Sequence, residues 1–104
     1  MASTLRIVAT PTRQRILQLC WDQERPAGEI AAGCEVTFGA VSQHLKILHD
    51  HGLVRCRKSG RSRLYQAVPE SLGPLAAILE AEWTAALTRL KTLAESAARR
   101  QPKR

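Results

Sequence analysis

The strongest constraint on this 104-residue chain is a change of apolar period at Gly52. Before it, Val41, Leu45 and Leu48 recur at i, i+4 and i+7, which predicts a helix over Phe38 to Asp50 with one buried stripe. After it, Val54 and Cys56 alternate with Arg55 and Arg57 in the two-residue rhythm of a strand. Thr37 suits the N-cap of that helix, and Gly52 suits its stop. A second strand is predicted over about Arg63 to Val68. Lys58-Ser59-Gly60-Arg61-Ser62, between the strands, has the Gly and Ser of a tight connection, so the pair reads as a hairpin with a basic tip.

Upstream, Thr10-Pro11 reads as a helix start, with Thr10 as N-cap, Pro11 at the first helical position and Ile16, Leu19 and Cys20 on one apolar face. Leu5, Ile7 and Val8 suggest a short leading helix. Pro26 opens a further short helix, Ala27 to Ala32, in which Ile30 and Ala31 face inward and Gly33 ends the helix by adopting positive φ. The expected fold is therefore mainly α with a two-stranded hairpin wing, in the order α-α-α-α-β-β-α: a winged helix-turn-helix.

Pro69 breaks the second strand, and a long helix is predicted from Ser71 to about Ala98. On it Leu72, Leu79, Ala86 and Leu93 stand seven residues apart, and Ala76, Trp83, Leu90 and Ala97 repeat that spacing four residues later, which makes a coiled-coil-like seam. No second long helix exists in the sequence to cover the seam, so the economical partner is the same helix of a second copy, in an isologous homodimer. The expected organisation is one domain over 1–98, with its dimerisation helix at about 71–98, and a basic tail over 99–104.

Charge points to the partner. Sixteen Lys and Arg against nine Asp and Glu give a formal charge of +7. Between Val36 and Pro69 stand Lys46, Arg55, Arg57, Lys58, Arg61 and Arg63 against Asp50 alone, and cationic surfaces concentrate phosphate near them. A helix presented ahead of a basic hairpin is the arrangement that enters the DNA major groove, which is about 12 Å wide. With Val41, Leu45 and Leu48 turned inward, Thr37, Gly39, Ala40, Ser42, Gln43, His44 and Lys46 are the candidate DNA contacts of the helix. Gln43 can pair with a base edge, Ser42, His44 and Lys46 can reach bases or phosphates, and Gly39 and Ala40 let the backbone approach closely. Lys58, Arg61 and Arg63 of the wing would meet flanking phosphates or enter the minor groove.

These residues carry a resemblance. Ala-Thr-Pro-Thr-Arg at 9–13, Val-Ser-Gln-His-Leu-Lys-Ile-Leu at 41–48, Gly-Leu-Val at 52–54 and Gly-Arg-Ser-Arg-Leu-Tyr at 60–65 resemble the ArsR/SmtB family of bacterial repressors, over roughly residues 5–97. The resemblance implies a winged-helix homodimer that represses its operon by binding an inverted-repeat operator, often releasing DNA when an inducer binds. Members that sense arsenite or cadmium carry a Cys-x-Cys pair on the helix before the recognition helix, where this chain has only Cys34 at the end. Zinc and nickel sensors place Asp, His and Glu ligands on the last helix, whereas residues 71–98 contain no His and no Asp. The last helix instead resembles the metal-independent branch, and no inducer is identifiable from spacing.

Other functions find less in the sequence. Three cysteines, Cys20, Cys34 and Cys56, are odd in number and widely spaced, which argues for reduced thiols over a disulfide framework. Cys20 and Cys56 read as small hydrophobes, and a thiol sensor built from all three would need distant elements brought together. His44, His49 and His51 lack the i, i+4 spacing of a metal pair on one helix face. No cofactor is expected. No nucleophile–base pairing or phosphate-cradling glycine loop suggests an enzyme. No stretch approaches the roughly 20 apolar residues of a membrane span and the start lacks a signal-like run, so a cytoplasmic protein with no membrane partner is expected. The alternative function is a winged-helix module that binds a protein partner through the last helix, its basic wing incidental.

Overall fold

A computed structural model describes residues 4–100 of the chain, which divides into two compact units with the boundary between Gly73 and Pro74. The first unit begins with α1 (Thr4–Val8) and α2 (Pro11–Leu19), followed by the short strand β1 (Arg25–Pro26), α3 (Ala27–Ala32) and α4 (Phe38–Asp50). Strands β2 (Val54–Ser59) and β3 (Ser62–Ala67) and a 3-10 turn (Pro69–Leu72) complete it. The second unit is the single helix α5 (Pro74–Arg100). The expected order of a helix-turn-helix followed by a hairpin wing is thus realised.

The core lies where α2, α3 and α4 pack together and α4 meets β2. Ile16, Leu17 and Cys20 of α2 and its end, Ile30 of α3, and Val41, Leu45 and Leu48 of α4 are fully buried. Leu53, Val54 and Ala67 close the core from the wing side. The stripe expected on α4 is the stripe observed. On α2 the inward residue adjoining Ile16 is Leu17, and Leu19 is only half-buried.

Two glycines set the geometry between α4 and the wing. Gly52, at φ 73°, follows the helix; its N–H donates to the His49 carbonyl at 2.9 Å, and Leu53 N–H donates to the Leu48 carbonyl at 2.9 Å. That pair of bonds is a Schellman motif, which caps the last carbonyls and turns the chain directly into β2. Gly60, at φ 60°, is the first central residue of the two-residue turn joining Ser59 to its partner Ser62, where a type II′ hairpin requires positive φ.

Four local expectations are corrected. Gly33 ends α3 with φ −91°, not positive φ; a Cβ there would stand 2.8 Å from Leu19 Cδ1, so a larger residue would oblige the end of the Leu19 side chain to shift. The sheet has three strands in the order β1-β3-β2, because Arg25 and Pro26 pair antiparallel with Tyr65 and Leu64. A two-residue strand ending in proline leaves no periodicity to find. The last helix starts at Pro74 and not Ser71, since the chain first makes the 3-10 turn and then passes through Gly73 at φ 57°. It ends at Arg100, so Arg99 and Arg100 are helical, while the rest of the expected tail, 101–104, lies outside the described residues.

Leu45→Ala should cost about 2–5 kcal/mol, as removal of a fully buried leucine does, whereas Gly52→Ala should cost only about 1–2 kcal/mol through its left-handed backbone. Urea unfolding of the two variants checks this order, and equal losses would contradict it.

Candidate nucleic-acid interface

The outer face of α4 is built by what its inner face buries. Thr37 caps the helix, its hydroxyl accepting the Ala40 N–H at 3.1 Å. With Val41, Leu45 and Leu48 turned into the core, Gly39, Ser42, Gln43 and Lys46 are left exposed and Ala40 half-buried. A Cβ on Gly39 would approach nothing closer than the Thr37 hydroxyl at 4.0 Å, so the protein's own packing does not demand glycine there. Lys46 reaches back along the helix to Asp50, 3.1 Å away, in an exposed pair. Such a pair holds its ammonium only weakly.

His44 differs from the other candidates on α4. It is half-buried and faces α2, where Arg13 Nε donates to its Nδ1 at 3.1 Å; the same guanidinium donates through Nη1 to the Ile7 carbonyl at 3.1 Å. A ring nitrogen that accepts from arginine carries no proton, so the hydrogen of neutral His44 sits on Nε2. Partial burial, and then the Arg13 charge, hold its pKa below the ordinary 6.5. His44 is thus first a tie between α4, α2 and the end of α1, and only its Nε2 edge is left to offer outward. Arg13 was not among the residues singled out from the sequence. It lies within the Ala-Thr-Pro-Thr-Arg segment, but its pairing across 31 residues has no local signal.

The wing's cations sort into two kinds. Arg57 makes a two-pronged pair with Glu24, Nε to Oε2 at 2.7 Å and Nη2 to Oε1 at 2.9 Å, which ties β2 to the segment before β1. The hydrogen bond to Arg57 is the main reason the Glu24 carboxyl stays below its usual pKa. Arg55, Lys58, Arg61 and Arg63 are exposed and make no ion pair among the described residues. Ser42 of α4, Arg61 and Arg63 of the wing and Tyr65 behind them line one open cleft of about 360 Å³, and Phe38, at the first position of α4, lines it too. Phe38 is 56% exposed although, three residues before Val41 and seven before Leu45, it continues the buried stripe by spacing, so the helical period carries no sign of its exposure.

The three cysteines stand on separate elements. Cys20 is buried at the end of α2, its Sγ hydrogen-bonded to the Ile16 carbonyl at 3.3 Å, and burial pushes its thiol up to about 11. Cys34 follows α3, and partial burial raises its pKa as well, against the opposing Arg15 charge. Cys56, half-buried, pairs across the sheet with Tyr65. Among the described residues, no group of three or more His, Cys, Asp or Glu side chains could hold a metal ion. No described helix is long and apolar enough to cross a membrane.

The dimer seam expected on α5 is only partly free. Leu72 lies in the 3-10 turn, outside α5, and is buried, and Leu79 is also buried. Ala76 and Trp83 are intermediate and Ala86 is exposed. Leu87, Leu90 and Leu93 stay 68%, 66% and 61% exposed in the single chain. At 100° per residue, Trp83, Ala86, Leu87, Leu90, Leu93 and Ala97 fall within one arc of the helix, so these exposed leucines form a continuous apolar stripe.

Comparison with known proteins agrees with this geometry. A helix-turn-helix domain model matches residues 8–57. The chain is 38% identical over 89 residues to the HTH-type transcriptional regulator Rv2034 of Mycobacterium tuberculosis, covering 86% of this chain and 83% of that protein. A crystal structure of a possible transcriptional regulator for arsenical resistance superposes with a TM-score of 0.64 at 39% identity, over 85% of this chain and 92% of that one. The solution structure of the homodimeric winged helix-turn-helix DNA-binding domain of Mb0332 from Mycobacterium bovis, a possible ArsR-family regulator, gives a TM-score of 0.64 at 26% identity, over 76% and 73% of the two chains.

The lowered pKa of His44 has a pH consequence. The unfolded chain takes up a proton below about 6.5 where folded His44 resists it, so this group's contribution to stability is intact above that pH and is lost as the pH falls below it. Urea midpoints at pH 8 and pH 5.5 should therefore fall further in the wild-type chain than in His44→Gln. An equal fall in both would show that His44 is not the group responsible.

Proposed function

The chain belongs to the ArsR/SmtB family of helix-turn-helix transcriptional regulators, and from that premise we propose that it is a homodimeric repressor binding an inverted-repeat operator in double-stranded DNA. The observation that carries the reading is the coincidence of an α4 face left polar and exposed with four unpaired wing cations beside it. In this reading Gln43 pairs with a base edge, Ser42 and Lys46 reach bases or phosphates, Gly39 lets the backbone come close, and Thr37 and Ala40 shape the helix start. Lys58, Arg61 and Arg63 hold the flanking backbone, with Arg55 beside them, while Arg57, already paired to Glu24, serves the wing's own rigidity. His44 acts chiefly as the tie to α2.

The apolar stripe Leu87, Leu90 and Leu93, with Trp83 and Ala86, is the proposed dimer contact, supported by the homodimeric relative. Two copies related by a twofold axis would set their α4 helices in successive major grooves, about one helical turn apart. Repression then follows from occupying a promoter. The family consists of regulators of transcription, and the reading assigns no reaction to this chain and places it in the cytoplasm with its DNA. The reading of the chain as a protein-binding module with an incidental wing gains nothing from relatives named as regulators.

Gln43→Ala should weaken binding to an operator selected from random duplexes by about 1–3 kcal/mol while leaving random DNA almost unaffected. Arg61→Ala should weaken both and flatten the dependence of log affinity on log salt by about one. Fluorescence anisotropy across a salt series separates them, and equal losses for Gln43→Ala on both DNAs would remove its base-reading role. By sedimentation equilibrium the wild-type chain should be dimeric and Leu90→Glu shifted toward monomer; a monomeric wild-type chain would contradict the α5 contact.

A further inference from the structure

Of the large apolar side chains on α4, Phe38 alone is exposed, and it heads the helix that is proposed above to enter the major groove. Its place on the helix is specific. At 100° per residue it lies 20° from buried Leu45 on one side and 40° from exposed Ser42 on the other, at the edge where the buried stripe meets the outer face. There it shares a cleft with Ser42, Arg61, Arg63 and Tyr65. Pro26 and Ala27 also line the cleft, but Arg61 and Arg63 have no anionic partner among the described residues, so the charge beside this ring favours a polyanion as its occupant. Residues at the N-terminus of a recognition helix are those that meet base edges. On the major-groove edge of unmodified base pairs, the one apolar feature is the 5-methyl group of thymine.

We infer that Phe38 is a specificity-determining residue that packs on the 5-methyl group of a thymine in each operator half-site, beside the base pair met by Ser42. The inference rests on the DNA-reading role of α4. The cations supply the phosphate attraction and Phe38 supplies sequence choice, since a phosphate contact carries no base information while a methyl contact distinguishes thymine from the other three bases.

The test uses a duplex selected from a randomised pool by the full-length chain, in which each thymine is replaced in turn by deoxyuridine, which differs only in lacking the methyl group. Anisotropy titrations should show one thymine per half-site whose replacement weakens wild-type binding by about three- to fivefold, the worth of one methyl group removed from apolar contact. Phe38→Ala should bind the thymine duplex more weakly and no longer distinguish it from the deoxyuridine duplex, while Phe38→Leu should keep a reduced preference. Thermal melting of Phe38→Ala should match wild type, because the ring is mostly in water; should it not fold, the deoxyuridine series with Phe38→Leu against wild type decides. Wild-type indifference to deoxyuridine at every position, or an undiminished preference in Phe38→Ala, overturns the role of Phe38 while leaving the repressor reading intact. Selection of no sequence from the pool overturns both.

Discussion

The burial of one stripe on one helix governs the rest of the molecule. Val41, Leu45 and Leu48 are sealed into the core, and because a helix turns about 100° per residue, fixing those three fixes where every other α4 side chain points. The helix cannot rotate about its axis without exposing leucine and burying Lys46 or Gln43. Removing a stripe that costs several kcal/mol to expose is out of reach for a small domain whose total stability is of that order. The polar face is thus held outward by apolar energy it takes no part in.

Around that anchor, polar contacts act as struts. Arg13 joins α4, through His44, to the backbone of α1, and Arg57 joins the wing to Glu24. These residues are as basic as those proposed to meet DNA, yet each is already committed inside the fold. Charge count alone therefore overstates the cationic surface, and the pairing pattern shows which cations are free. The Schellman turn at Gly52 and the II′ turn at Gly60 do for the backbone what the struts do for side chains, since the first starts β2 four residues after the end of α4 and the second folds β3 back along it.

Much of this was legible in the chain because it is local. The α4 stripe, the Thr37 cap, the Gly52 stop and the hairpin each follow from residues within a few positions of one another, where period and capping chemistry act. What stayed hidden depends on distance in sequence. The β1–β3 pairing joins Arg25 to Tyr65, the Arg57–Glu24 and Arg13–His44 contacts span more than thirty residues, and Gly33 packs closely under Leu19, fourteen residues before it. Leu72 was grouped with the α5 seam because its spacing fits the heptad; spacing carries no sign of Gly73 interrupting the helix at positive φ. Phe38 is a further case: its spacing to Val41 and Leu45 fits the buried stripe, and only the fold shows that this first position of α4 is left in water.

The central claim is that two copies of the α4 face enter successive major grooves on one side of a DNA duplex. Dimethyl sulfate footprinting, which reports guanine N7 in the major groove, measures this directly on an operator selected by the protein. The account predicts two protected patches related by a dyad, with centres about 10–10.5 base pairs apart. A single patch, or protection without that phasing, would contradict it.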